Sequence, residues 1–183
     1  MISPAATATT ELTWRELAWR RQARQVALAT AGAVLGLGLS GCMGATPVPM
    51  GGLNRQLEQA GNNRNPSLAG RWLALINGRG GRDQVLLLDL DQQRPVPVPG
   101  LNRPDALPIS VSVDVSGDRI VLIRQLEGRS ELVLYRRSLQ SLQPIAMAPP
   151  AVPVAVQLRA DGRELALQVS RDGLWQVDLI QLP

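Results

Sequence analysis

The 183-residue sequence has no histidine, lysine or phenylalanine, one cysteine and 3% aromatic residues. A histidine general base, a lysine nucleophile and a Cys/His metal site are therefore excluded, and no cofactor is expected. All 19 basic residues are arginine, set against 15 acids for a net charge of +4. The isoelectric point near 10.8 reflects arginine's very high pKa more than a large charge excess. Only Arg20-Arg21 and Arg136-Arg137 are adjacent basic pairs, and with few aromatics to stack bases the pattern argues against nucleic-acid binding. What is there is a 45% hydrophobic chain, enough for one domain with a real core. What remains for chemistry is Asp, Glu, Ser, Thr, one Tyr and Arg.

Residues 26–45 carry no charge and come after Arg15, Arg20, Arg21 and Arg24, the layout of an export signal. The apolar run VALATAGAVLGLGL ends in Leu39-Ser40-Gly41-Cys42. This tetrapeptide resembles the lipobox of bacterial lipoproteins. The resemblance implies that residues 1–41 are a signal peptide and that Cys42 is lipidated and becomes the first mature residue. It implies attachment to a membrane through that lipid, and a cell-envelope, extracytoplasmic location. Arg20-Arg21 lacks the hydrophobic continuation of a twin-arginine signal, so the general export route is expected. Two other readings stand beside it: a retained spanning helix, disfavoured by the glycines and by Pro47 and Pro49, and a cysteine buried in the core. Cleavage before Cys42 would leave 15 basic against 13 acidic residues, a near-neutral protein.

Residues 42–65 are rich in Gly, Pro, Asn and Gln and read as a flexible tether, although Leu53, Leu57 and Ala60 share one helical face. Beyond Pro66 the sequence repeats. Glycine, a charged turn and an apolar run recur at Gly70 (GRWLALI), Gly117 (GDRIVLI) and Gly162 (GRELALQ), spaced 47 and 45 residues apart. A second glycine stands 11 residues after each, at Gly81, Gly128 and Gly173, and opens another apolar run. Alternating strands precede the second and third turns (ISVSVDV, VAVQL), and proline-bearing strands (RPVPV, PIAM) end the first two units. Proline cannot donate to a ladder, so the last strand of a unit belongs at an edge. Four short strands per repeat make the unit of a β-propeller. The expected fold is all-β, three propeller-type four-stranded repeats in an open or partial propeller behind the N-terminal signal or anchor helix. The alternative is an antiparallel β-sandwich.

The segments NPSLAGRWLALI, VDVSGDRIVLI and LRADGRELALQV resemble the strand-turn-strand signature of TolB-type propeller repeats, over residues 66–183 with blades at about 66–100, 101–149 and 150–183. The resemblance implies a non-enzymatic envelope protein that binds partners of the Tol–Pal kind. The chain departs from the pattern: the first repeat lacks a clear innermost strand, Arg136-Arg137 stands where Asp-Leu is expected, and the third repeat stops before an outermost strand. Three blades cannot close a ring. An open half-propeller, a homodimer completing six blades and a rearranged sandwich remain open, and exposed Val- and Leu-rich faces favour association.

The loop Asn77-Gly78-Arg79-Gly80-Gly81 is a hairpin by position, and its arginines Arg79 and Arg82 are candidates for partner contact. Trp72 and Trp175 are weaker candidates, since tryptophan is enriched at binding hot spots but both lie in apolar strands. A rival enzymatic reading uses two carboxylates for glycoside hydrolysis. Asp118, Asp161 and Asp172 stand at turns, where aspartate bonds its own backbone, whereas Asp114 lies in an apolar strand. A third reading is a single-pass membrane-anchored sensor or assembly factor.

Overall fold

Two-residue turns close the second hairpin of every repeat, and they set the register of the strands on either side. Arg79 pairs with Arg82, Leu126 with Arg129 and Arg171 with Leu174, leaving Gly80-Gly81, Glu127-Gly128 and Asp172-Gly173 as the turns. All six turn residues have positive φ, the backbone of a type I′ turn whose twist matches that of the flanking strands. The computed structural model describes residues 46–183, of which Pro49–Pro183 form one compact unit. The expected signal peptide, the lipobox residues Leu39, Ser40 and Gly41, and Cys42 lie outside the described residues.

The first repeat contains β1 (Asn62–Ala69), β2 (Trp72–Arg79), β3 (Arg82–Asp89) and β4 (Arg94–Val96). The second contains β5 (Ala106–Val113), β6 (Arg119–Leu126), β7 (Arg129–Arg136) and β8 (Ser141–Ile145), and the third β9 (Val152–Leu158), β10 (Glu164–Arg171) and β11 (Leu174–Gln181). Each repeat is one antiparallel meander, giving three separate sheets of four, four and three strands. Pro95 and Pro144 fall on β4 and β8, the last strands of their sheets, where one side of the backbone has no ladder to complete. The sheets are stacked in chain order and form no closed barrel, so the architecture is the open propeller-type arrangement and not the two-sheet sandwich.

Alternation puts one face of each strand on each neighbouring sheet. Ala74, Ile76, Val85 and Leu87 of the first sheet pack against Ile120, Leu122, Val133 and Tyr135 of the second. The opposite face of the second sheet, Val121, Ile123, Leu132 and Leu134, packs against Leu158, Leu165, Leu167 and Val169 of the third. The middle sheet is thus covered on both faces, and full burial of each Val, Leu or Ile there stabilises by about 1.5–3 kcal/mol.

Hydroxyls join the innermost strands β1, β5 and β9. Ser112 Oγ accepts from the Leu158 amide (2.8 Å) and pairs with Ser67 Oγ (3.1 Å). Ser67 Oγ also accepts from the Val113 amide (3.2 Å), and Ser110 Oγ from the Val156 amide (3.2 Å). Serine here supplies acceptors for amides that face the next sheet instead of their own.

Two boundaries differ from the sequence expectation. Residues 51–65, expected within a flexible tether, form helix α1 (Gly51–Ala60) and the start of β1. Leu53 is buried against Leu75 and Leu88 on the free face of the first sheet, with Leu57 packed beside it. The C-terminal carbonyls of α1 are satisfied too, since Asn63 Nδ2 donates to Leu57 O (2.6 Å) and Asn77 Nδ2 to Ala60 O (3.1 Å). The innermost strand judged missing from the first repeat is β1, so that sheet begins at Asn62 and not Pro66. Its sequence NNRNPSLA is polar, which hid it.

Candidate interaction surface

Trp72 opens β2 at the contact between the first and second sheets, and it is 4% exposed. The Arg71 and Arg137 guanidinium groups lie 4.8 and 4.7 Å from its ring centroid. Arg137 Nε also donates to Gly117 O (2.8 Å), so the arginine pair that replaces the expected Asp-Leu has a packing role. The expectation that Trp72 contacts a partner is thereby corrected: β2 alternation turns its indole into the interior. Arg79 and Arg82 flank the exposed β2–β3 hairpin tip, available to a partner on the same loop. Arg64 Nη2, 2.9 Å from Asp83 Oδ2, holds that carboxyl below its ordinary range beside the tip.

Among the described residues, Asp114, Asp118 and Asp161 place carboxylate oxygens in hydrogen bonds at turns. Asp114 comes just after β5 instead of lying within it, and its Oδ1 accepts from the Asp118 (3.0 Å) and Arg119 (3.2 Å) amides while Oδ2 accepts from Ser116 Oγ (2.6 Å). Its four-residue turn explains its burial, and the expected strand position is corrected accordingly. Asp161 Oδ1 takes the Arg163 amide (3.0 Å), the local backbone bond expected of a turn aspartate, whereas Asp118 Oδ1 takes the amide of Ser138 (2.6 Å), 20 residues on, and so joins two turns of the second sheet. Asp105 is held below the ordinary range by its hydrogen bond from Arg103, and the Glu164 hydrogen bond raises Arg159. Among the described residues no three Asp, Glu, Cys or His side chains group as a metal would require.

Trp175 sits on β11 and is 66% exposed. The same face of that strand carries Val177 (68%) and Leu179 (83%). Across the ladder these three pair with Ser170, Gln168 and Ala166 of β10, so the face is apolar along β11 and neutral beside it. Arg171 and Asp178 project to the opposite face, where Arg171 Nη2 donates to Asp178 Oδ2 (2.7 Å). Val177 and Leu179 were not singled out from sequence, yet the repeat marks them. They stand four and six residues after Gly173, as Val85 and Leu87 do after Gly81 and Leu132 and Leu134 after Gly128. Those four residues are 0–3% exposed.

Among the described residues these features define a class: an open run of three propeller-type blades with an uncovered face at the third. Among solved structures the chain is similar to TolB from Acinetobacter baumannii, at a TM-score of 0.52 and 16% identity over 67% of this chain and 30% of that one. At that identity the likeness shows the fold, which is TolB-like. No family model matches the chain, and no curated protein matches it. No helix among the described residues is long and apolar enough to cross a membrane.

Proposed function

We propose that this chain is a non-enzymatic, lipid-anchored protein of the cell envelope that binds protein partners through its blades and hairpin tips. Residues 1–41 direct export and Cys42 carries the lipid. Each buried acyl methylene contributes about 0.8 kcal/mol, so several chains hold the protein at a membrane without a spanning helix. Partners are envelope-maintenance proteins of the Tol–Pal kind, met through the Arg79/Arg82 tip. The observation that carries the reading is the TolB-like fold. It is supported by aspartates that spend their acceptors on backbone amides, Asp114 foremost.

The test is mass spectrometry of the protein recovered from a bacterial envelope. A chain beginning at Cys42 with added acyl mass is expected. An intact Met1 terminus or an unmodified Cys42 refutes the anchor. For the partner, cross-linking in envelopes of wild type and the Arg79→Ala, Arg82→Ala variant is compared; loss of a specific adduct in the variant is expected, and identical adducts refute the hairpin tip as the contact.

A further inference from the structure

We propose that the uncovered face of the third sheet is a two-fold interface with a second copy of this chain. Such pairing lies beyond the anchoring and envelope reading and needs neither. Its basis is the repeat register. In the first two sheets, the residues four and six positions after the hairpin glycine form the contact with the next sheet: Val85 and Leu87, then Leu132 and Leu134. The third sheet retains the same kind of residue at both positions, Val177 and Leu179, and adds Trp175, but among the described residues no element covers them. The chain's own two inter-sheet contacts thus show what covers this row: the face of another β-sheet.

Two arrangements of a second copy are geometrically distinct. In a head-to-tail pairing, the third sheet of one copy meets the first sheet of the other, and two copies close a ring of six. That route is blocked by α1, whose Leu53 and Leu57 already occupy the receiving face on Leu75, Leu88 and their neighbours. In a face-to-face pairing about a two-fold axis, third sheet meets third sheet and no described element has to move. The second arrangement stops at two copies, because each brings one such face and its other end is covered.

Charge is consistent with a face meeting its own image. The β10 residues paired across from Trp175, Val177 and Leu179 are Ser170, Gln168 and Ala166, so no ionised group lies in the centre to confront its like. At the margin, Glu164 Oε2 accepts from Arg159 Nη1 (2.7 Å), and the two charges offset each other within one copy. Tryptophan anchors surrounded by aliphatic side chains and a polar rim are the usual make-up of an interface centre.

Light scattering with size exclusion on the full chain in mild detergent, over a concentration series, tests this. Wild type is expected at twice the 19.7 kDa chain mass, dissociating on dilution. Val177→Asp with Leu179→Asp replaces exposed side chains and leaves the fold intact by circular dichroism. It is expected at the single-chain mass, with dissociation raised on the order of a hundredfold. The separate variant Leu53→Asp, which frees α1, is expected to leave the dimer unchanged. A monomer at every concentration overturns the proposal, and so does a dimer that survives the double substitution. Dimerisation that appears only once α1 is freed overturns it in favour of the six-sheet ring.

Discussion

Gly117 has φ +68, and a Cβ there would run into Trp72 Cδ2 and Cε2. The turn of the second repeat therefore closes directly onto the indole of the first, and no side chain fits between. Gly117→Ala combines a left-handed strain with a clash against a ring clamped by Arg71 and Arg137, and about 3 kcal/mol of destabilisation is expected. Chemical denaturation measures it; a loss below about 1 kcal/mol would show that Trp72 yields and that the inter-sheet contact is loose. Asp83 gives a pH-dependent counterpart. Its carboxyl is held low mainly by the hydrogen bond from Arg64, so the folded state favours the ionised form. The resulting stabilisation is present above the unfolded pKa of about 4 and is lost as pH falls through the lower folded value. Carbon-detected NMR titration should find Asp83 ionised at a pH where free aspartate is half protonated, and Arg64→Gln should move its midpoint upward. An unmoved midpoint would remove Arg64 as the cause.

At the scale of elements, the hairpin turns differ in how well their residues suit them. Glu127 holds φ +51 in the β6–β7 turn, a backbone that costs an L side chain about 1 kcal/mol and that Asn or Gly accepts more readily. Glu127→Asn, giving Asn-Gly at a two-residue turn, is expected to raise stability by about 0.5–1 kcal/mol, read as a shift of the denaturation midpoint with unchanged slope. An unchanged midpoint would show that the turn is not held in the I′ conformation. Ser112 shows the opposite case. Its Oγ is the partner of the buried Leu158 amide, and Ser112→Ala leaves that donor without one, at a cost of about 1–3 kcal/mol. The strand content of these elements was legible in the glycine spacing and the period-2 runs, because a turn needs glycine locally and a strand needs alternation locally. α1 was legible only as the row Leu53, Leu57 and Ala60: a ten-residue helix opening on two glycines, with no side-chain cap, forms because the leucine face of the first sheet receives it. β1 was legible only in its last residues, NPSLA before Gly70, since its polar start is held by tertiary bonds such as Asn65 Nδ2 to Ile109 O (2.8 Å).

Across the whole molecule, the sheets are alike in sequence and unlike in surroundings. What was readable beforehand was the repeat, and with it the stacked all-β fold. Which of the two strand tryptophans is buried was not, because the burial of Trp72 and the exposure of Trp175 depend on whether another sheet comes next, which periodicity within one strand does not encode. The second sheet is enclosed by both neighbours, and Ile120, Val121, Ile123 and Val133 are fully buried. The first has α1 on its outer face, whereas among the described residues the third rests on one neighbour and leaves β11 with both a bare face and an unpaired edge. Local opening free energy tracks buried contact, so protection should fall in the order second, first, third. Native-state hydrogen exchange in the Val177→Asp, Leu179→Asp variant isolates this gradient, because association of the third sheet is removed. The slowest amides are expected in β6 and β7, exchanging only by global unfolding, while β11 amides exchange through a smaller opening that leaves β6 closed. Equal protection of β11 and β6 would mean that the three sheets unfold as one unit, and that the contact of Leu165, Leu167 and Val169 with the second sheet suffices to hold the third without any cover on its other face.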